Sequence, residues 1–198
     1  MIVNIFHRVN AEMTMKAIQS VKESGNVAHI IDNSDNYEMR LEGATRLSPV
    51  TYSFAAMHNW MADTLDGYYW MHNDVEAPKE VFDALKEAVR NRSEKTGIVF
   101  ADYDRLCWFN SHAIRDAGFW DLKLPQYFSD NDIYRRVKLK GWDVVNLNLE
   151  LTHHASSTLQ DPQHKLINDN TFDLYATYYF RKWGNLPPNE SFLTPFNQ

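Results

Sequence analysis

The chain has 198 residues, 44% of them hydrophobic, and its six Trp, ten Tyr and eleven Phe give it a high aromatic content. This length and apolar fraction suffice for one domain with a substantial core, which we expect to span residues 1–198. Lys and Arg total 20 against 26 Asp and Glu, a net charge of −6. The charge disfavours a protein that grips the phosphate backbone of nucleic acid.

The sequence has no stretch typical of a membrane span or a secretory signal. The first apolar run ends at Phe6, before His7 and Arg8, and no run approaches the roughly 20 apolar residues of a spanning helix. We therefore expect a soluble, cytoplasmic protein. The single cysteine, Cys107, excludes an internal disulfide and a multi-cysteine metal site, and its apolar neighbours favour packing over nucleophilic chemistry.

Strand and helix patterns alternate at the start of the chain. Residues 2–6 and 26–31 are short apolar runs that predict strands. Between them, apolar residues recur at helical spacing: Met13, Ala17, Ile18 and Val21. A strand, a helix and a strand within about 30 residues indicate a βαβ unit with parallel strands and a right-handed crossover.

The same alternation continues along the chain. A helix marked by Phe54, Met57 and Met61 precedes a strand at 68–72, and Pro78 suits the first turn of the next helix. The remaining expected elements are strands at 97–103 and 106–110, a short helix from Ser111, a helix that starts near Ser129 and stops at Gly141, a strand at 142–148, and an aromatic helix from about residue 168 with a proline-containing tail.

Polar clusters follow several of these elements, at 32–35, 72–76, 129–132 and 152–154. In a sheet of parallel strands, the first two clusters lie at the same carboxyl edge, where open α/β sheets bind their ligands. Carboxylates there suit a hard divalent cation, and a histidine suits Mn²⁺ or Zn²⁺. These residue types alone suggest a cation site without specifying one.

Segments spread over nearly all of the chain carry the motifs of one family: IVNIFHRVN, HIIDNSD, HNWMADTLDGYYWMHNDVEAP, FWDLKLPQYFSDNDIYRRVKLKGWDVV, THHASST and YFRKWG. In order and composition they resemble the family 2-type glycosyltransferases of the GT-A fold. The second is similar to that family's VVDNxSxD segment, and the fourth resembles its GxFDExFxxxEDxDLxxRxxxxGY segment.

The resemblance implies an α/β fold of the GT-A type, a three-layer α/β/α sandwich with a mostly parallel central sheet. It implies a nucleotide-sugar-binding half, 1–103, and an acceptor half, 104–198, with the aromatic helix and tail. The implied enzyme is a metal-dependent, inverting glycosyltransferase. Its partners are a nucleotide-diphosphate sugar and an acceptor hydroxyl on a glycan, a lipid-linked sugar or a modified base, and its cofactor is Mn²⁺ or Mg²⁺.

The resemblance also assigns roles to individual residues. Donor-binding residues are Asp32, Asn33, Ser34 and Asp74. Metal ligands are Asp74, Glu76 and His153, with His154 as the alternative histidine. Asp130 is the implied catalytic base that removes the acceptor proton, because it stands at the acid of the family's Glu-Asp pair.

The sequence departs from the family pattern in two places. The family's Asp-x-Asp corresponds either to His72-Asn73-Asp74 or to Asp74-Val75-Glu76, so Asp74 is the firmest assignment and His72 and Glu76 rank below it. The Glu of the Glu-Asp pair is Ser129, which leaves Asp132 as an alternative base.

Structural roles compete with these assignments. Asp130 and Asp132 stand at the start of a predicted helix, where acids cap free N–H groups, and Asp32 lies in a polar turn that it could simply stabilise. His153 and His154 point to opposite faces of an extended segment, so we expect only one to be functional.

Two other functions remain open at this stage. A sugar nucleotidyltransferase shares the βαβ start, although its expected glycine-rich basic loop after the first strand is missing from HRVNAEMT. A catalytically degenerate nucleotide-sugar-binding module is the other, because the first acid of the Asp-x-Asp motif and the Glu before Asp130 are absent.

Overall fold

The computed structural model describes residues 1–46, 53–154 and 157–198. The strands are β1 Ile2–His7, β2 Val27–Asp32, β3 Thr45–Arg46, β4 Gly67–Met71, β5 Val75–Glu76, β6 Thr96–Asp102, β7 Leu106–Asn110, β8 Asp143–Asn146 and β9 Thr152–His153. The α-helices are α1 Ala11–Glu23, α2 Phe54–Thr64, α3 Lys79–Arg90, α4 Ser111–Asp116, α5 Ser129–Leu139 and α6 Pro162–Trp183.

The predicted βαβ unit and mostly parallel sheet are confirmed. Seven strands form the central sheet in the order β3-β2-β1-β4-β7-β6-β8, and β5 pairs separately with β9. β1 is parallel to β2 and to β4, with Ile2 opposite Val27. β7 is antiparallel to both β4 and β6. The β4–β7 pairing places strands from both parts of the chain in one sheet.

Helices cover both faces of the sheet, which makes the three layers of the expected sandwich. On one face α1 and α3 bury residues against the strands: Val3, Ile18, Val21, Phe82 and Leu85. On the other face α2, α4 and α5 do the same: Met61, Trp70, Phe109, Ile114, Ile133 and Val137. Full burial of one such side chain contributes about 1.5–3 kcal/mol, so the two apolar layers are the main source of stability.

The last helix begins earlier than the sequence analysis expects. α6 starts at Pro162 rather than near residue 168. Asp161 accepts the backbone N–H of His164 at 2.8 Å, and the proline occupies the first turn. An Asp-Pro pair is a recognised start signal for a helix, which the aromatic pattern further along the chain obscured.

Two-residue strands are the other difference. β3, β5 and β9 were not predicted, because a run of two residues has no measurable periodicity. Within the THHASST segment, Ala155 and Ser156 lie outside the described residues. None of the helices in the described part of the chain is long and apolar enough to cross a bilayer.

Candidate active site

A small two-stranded sheet brings Asp74 and His153 together. After β4 the chain turns, with the Val75 N–H donating to the His72 carbonyl at 3.3 Å, and β5 then pairs with β9 so that Val75 stands opposite His153. The His154 N–H donates to the Asp74 carbonyl at 2.9 Å. As a result, Oδ1 of the buried Asp74 lies 3.4 Å from Nε2 of His153.

The two adjacent histidines contact different acids. His153 faces Asp74, whereas Nε2 of His154 lies 2.7 Å from Oε1 of Glu76. Successive side chains of an extended segment point to opposite faces, which accounts for the separation. The structure thus pairs the expected ligands Asp74 and His153, and places Glu76 against His154.

His72 and Asp104 extend this group. Nε2 of His72 lies 3.9 Å from Oδ2 of Asp104, and the His72 and His153 rings are 5.8 Å apart between centroids. Asp104 belongs to the tight 3-10 turn between β6 and β7, and the adjacent Arg105 accepts the His72 N–H through its carbonyl at 3.0 Å. Sequence analysis did not identify Asp104, although an acid at the carboxyl end of a strand was the available signal.

Asp130 lies in a cleft beside these residues. The cleft has a volume of about 270 Å³, and His72, Asp104 and Asp130 line it together. Its aromatic wall consists of Phe6, Phe54, Trp70 and Tyr127. Asp130 occupies the first turn of α5, which starts after Phe128 in the left-handed region at φ 64°. A positive φ at a non-glycine residue is a strained conformation that is found preferentially at functional sites.

Asp132, the alternative base, is occupied elsewhere. Its fully buried carboxylate accepts hydrogen bonds from Nε of Arg136 at 2.9 Å and from Nε1 of Trp183 at 2.9 Å, and Nζ of Lys182 lies 2.7 Å away. These partners tie α6 to α5. Of these two acids, Asp130 lines the cleft and Asp132 does not.

The protonation of the cleft residues is set by their burial and by one another. Burial and the negative charge of Asp104 raise the pKa of Asp130 to about 7, against a partial offset from backbone N–H groups and His72. Burial lowers the pKa of His72, but its interaction with Asp104 and the charges of Asp74 and Asp130 outweigh that effect and raise it overall. Burial raises the pKa of Asp104, but the hydrogen bond and charge of His72 outweigh burial and leave that pKa below its usual range.

The residues around Asp74 partly fit a divalent cation. Burial, together with the charges of His72 and Arg105, lowers the pKa of His153, which favours the neutral imidazole that binds metals. Among the described residues no three His, Cys, Asp or Glu side chains are arranged as a ready-made metal site. One or two protein ligands are sufficient for a cation that also binds substrate phosphates, so Asp74 and His153 fit that kind of site.

The expected donor turn is built around Asp32. Oδ1 of Asp32 accepts from the Ser34 N–H at 2.7 Å and from its hydroxyl at 2.6 Å, and Oδ2 accepts from the Met39 N–H at 2.6 Å. Asp32, Asn33 and Ser34 are all buried. These bonds match the turn-forming interpretation of Asp32, and its contact with a donor stays a prediction.

Comparisons with known proteins relate the chain to solved structures only. No family model matches the sequence, and no curated protein matches it. Glucosyl-3-phosphoglycerate synthase from Mycobacterium tuberculosis, in complex with Mg²⁺ and UDP, superposes with a TM-score of 0.62 at 14% identity, over 94% of this chain and 80% of that one.

Two further structures show the same similarity. The catalytic domain of Drosophila β1,4-galactosyltransferase 7, in complex with xylobiose, has a TM-score of 0.56 at 12% identity, over 81% of this chain and 72% of that one. The synthetase for CMP:2-keto-3-deoxy-manno-octonic acid, in complex with CTP, has a TM-score of 0.55 at 9% identity, over 85% and 98%. At these identities the matches establish the fold alone. The chain has the GT-A fold of the nucleotide-diphospho-sugar transferases.

Proposed function

We propose that this protein transfers a sugar from a nucleotide-diphosphate sugar to an acceptor hydroxyl, with inversion at the anomeric carbon. The observation that carries the proposal is the position of Asp130. It lines a cleft next to His72 and Asp104, and its pKa is raised to about 7. The fold alone would not support an activity, because it also occurs in a CTP-binding synthetase.

Asp130 has the properties of a general base. An acceptor hydroxyl is a weak nucleophile, and a carboxylate within hydrogen-bond reach of its proton accelerates attack by roughly 10²–10⁴. Efficiency is greatest when the pKa of the base is close to the working pH, which burial and Asp104 bring about here. In the proposed step Asp130 takes the acceptor proton, the acceptor oxygen bonds to the anomeric carbon, and the bond from that carbon to the diphosphate breaks with both electrons on the leaving oxygen.

Asp74 and His153 are proposed to hold a divalent cation, Mn²⁺ or Mg²⁺, at the diphosphate. When bound, such a cation stabilises the negative charge that the leaving diphosphate gains. Asp74 contributes a buried carboxylate and His153 an imidazole 3.4 Å from it. Glu76 fixes the adjacent His154 through their 2.7 Å contact, and we propose that it supports this site from behind.

The turn 32–34 is proposed to form the donor side of the site. Its hydrogen bonds hold the backbone at the carboxyl end of β2 in one conformation, which shapes a binding wall without requiring the carboxylate of Asp32 to reach the nucleotide. In this arrangement residues 1–103 provide most of the donor site, and residues 104–198 provide Asp130 and the acceptor side.

Thermal unfolding with candidate donors tests the proposal. We expect one class among UDP-, GDP-, TDP- and CMP-sugars to stabilise the protein with Mn²⁺ or Mg²⁺ and not with EDTA, by about 2.7 kcal/mol at a donor concentration of 100 Kd. Asp74→Asn should abolish this shift. Asp130→Asn should keep it and lose about 10²–10⁴ in product formation.

Asp169→Asn is the matched control, because Asp169 is an exposed acid on α6 paired with Lys165 at 2.6 Å. It should behave as the wild type in both assays. Donor binding without turnover in the wild type, and no effect of Asp130→Asn, would instead identify a binding module. Absence of any donor-dependent shift would contradict the transferase.

A sugar nucleotidyltransferase is the second candidate, because the solved structures of the same fold include a synthetase in complex with CTP. Such an enzyme must bind a triphosphate, and the turn after β1 offers Arg8, whose guanidinium is already 2.8 Å from the Asp35 carboxylate. Release of pyrophosphate from a nucleoside triphosphate and a free sugar would favour this candidate over the transferase.

A further inference from the structure

A second pocket lies beside the cleft that contains Asp130. It has a volume of about 450 Å³, within the range of small-molecule sites. Two pairs of consecutive residues separate the two spaces. Asp104 and Asp130 line the cleft, whereas Tyr103 and Asn131 line the second pocket. The two spaces therefore adjoin along these residues.

Tyr103 is held firmly at the boundary. Its hydroxyl accepts a hydrogen bond from Nδ2 of Asn131 at 3.2 Å, and its N–H donates to Oδ1 of Asn146 at 3.3 Å. Its φ of 30° is unfavourable for a residue with a side chain, and 43% of the residue is exposed. The strained backbone thus places an aromatic ring at the boundary of the two pockets, and strained residues of this kind also occur at ligand clamps.

The rest of the pocket combines apolar rings with fixed polar groups. Its apolar lining includes Phe100, Pro187 and Pro188. Arg135 and Glu190 supply polar groups of opposite charge 3.8 Å apart. Aromatic and proline rings pack against the C–H faces of pyranose rings, and charged groups of both signs hydrogen-bond hydroxyls, so the lining suits a sugar.

Arg135 and Glu190 are positioned before any ligand arrives. The Arg135 guanidinium donates to the Phe192 carbonyl and lies 5.0 Å from the centroid of the Trp183 ring. Glu190 accepts a hydrogen bond from the Tyr179 hydroxyl at 2.5 Å. Groups fixed in this way lose little conformational entropy when they bind a ligand.

The charges of the cleft oppose an anion at the reacting end of the acceptor, because Asp104 and Asp130 both stand there. The second pocket holds Arg135 and Lys138 against Glu190, so the restriction applies to the cleft alone. The described residues that line the cleft include no Lys or Arg. A phosphate or carboxylate on the acceptor would meet like charge there without a side-chain cation to pair with it.

We propose that the second pocket is an acceptor subsite, and that the acceptor is an oligosaccharide whose reacting sugar carries no charge. Its terminal hydroxyl reaches Asp130, and the following sugar packs on the Tyr103 ring between Asn131 and the Arg135–Glu190 pair. This inference rests on the proposed transferase function, because it takes the Asp130 cleft as the place of reaction.

Binding without donor tests the subsite separately from catalysis. The probes are methyl glucoside and the α1,4- and β1,4-linked glucose oligomers of two to four residues, titrated by calorimetry. We expect at least one series to bind about tenfold more tightly once a second or third sugar is present, and Tyr103→Ala to remove that gain. Tyr103→Phe keeps the ring and should retain it.

Phe180→Ala is the control, since it removes a ring of similar exposure, 49%, from α6. It should leave the length dependence unchanged. Oligomers that bind no better than the monosaccharide, or a gain that survives Tyr103→Ala, would overturn the subsite. If oligomers bind through Tyr103 but no donor is ever turned over, the oligosaccharide subsite stands and the proposed transferase function fails. If transfer to the monosaccharide is as efficient as transfer to oligomers, the transferase function stands and the subsite fails.

Discussion

Replacing Asp130 by Asn should make the protein more stable at alkaline pH while it slows transfer by about 10²–10⁴. The carboxyl has an ordinary pKa of 3.8 and a pKa of about 7 in the folded protein, because burial and Asp104 disfavour its charge. A residue kept charged for function at such a position costs stability, and its neutral replacement recovers it. The effect separates a functional acid from one that only stabilises α5 by its charge, since neutralising an acid in the first turn of a helix would destabilise that helix by about 0.3–1 kcal/mol.

The sign follows from proton binding. The folded state holds the Asp130 proton more tightly than the unfolded chain, so the stability gained is complete below pH 3.8 and is lost as the pH rises to about 7. At roughly 1.36 kcal/mol per pKa unit the full loss is about 4 kcal/mol, and partial solvent access reduces it to about 1–4 kcal/mol. Asn stays neutral throughout and avoids the loss.

Urea unfolding of the wild type and of Asp130→Asn at pH 5 and pH 8 measures the difference. Only the two pH units from 5 to about 7 fall between these measurements, so we expect the variant to gain about 1–3 kcal/mol over the wild type between the two pH values. The control Asp169→Asn, at an exposed site, should show no comparable change. An Asp130→Asn variant that is equally or less stable than the wild type at pH 8, with no dependence on pH, would refute the assigned pKa and its cause.

Three further predictions concern buried groups outside the cleft. Asp132→Ala should cost about 3–5 kcal/mol in urea unfolding because it removes the buried carboxylate that pairs with Arg136, accepts the Trp183 indole N–H and shares Lys182 with Asp121, and a loss under about 1 kcal/mol would contradict the network. Burial, with the charge of His72, holds the pKa of His58 well below 6.5 in the folded protein. As the pH falls below 6.5 the unfolded chain therefore takes up this proton first, and the free energy of unfolding decreases by up to about 1.4 kcal/mol per pH unit. His58→Gln should flatten that slope, and an unchanged slope would exclude His58 as its source. Burial, with the charge of Asp104, raises the pKa of the Cys107 thiol, so it should react with a thiol reagent only at the rate of unfolding, and rapid reaction of the native protein would contradict the buried position.

The local patterns of the first strands and helices were sufficient to predict their structure. The apolar run at 2–6 and the stripe through Ile18 and Val21 correspond to β1 and α1, and Asp74 was correctly located behind a buried strand. In these cases one face of a single element sets the pattern, so neighbours in sequence carry the information.

The contents of the cleft depend on contacts that sequence patterns do not record. Asp104 joins His72 because the chain reverses between β6 and β7, and this acid lies between the strands predicted at 97–103 and 106–110. His153 joins Asp74 through β5 and β9, whose pairing links distant residues. Such contacts follow from the register between strands, which a single sequence does not specify.

The choice between Asp130 and Asp132 also depends on contacts that sequence patterns do not record. Both acids lie in the first turn of α5, so helix position alone gives them equal status. Their partners distinguish them, because Arg136 of α5 and Trp183 and Lys182 of α6 engage Asp132, whereas Asp130 lines the cleft.

The pairing of β5 with β9 has a consequence for the newly made chain. Glu76 and His154 meet across 78 positions, and the Asp74–His153 contact closes with them. At a ribosomal rate of about 5–20 residues per second, the acid leaves the peptidyl-transferase centre roughly 4–16 s before its histidine is translated. A nascent chain that has completed β1 to β5 therefore carries Asp74 without His153, and the proposed cation site can close only after β9 has left the exit tunnel.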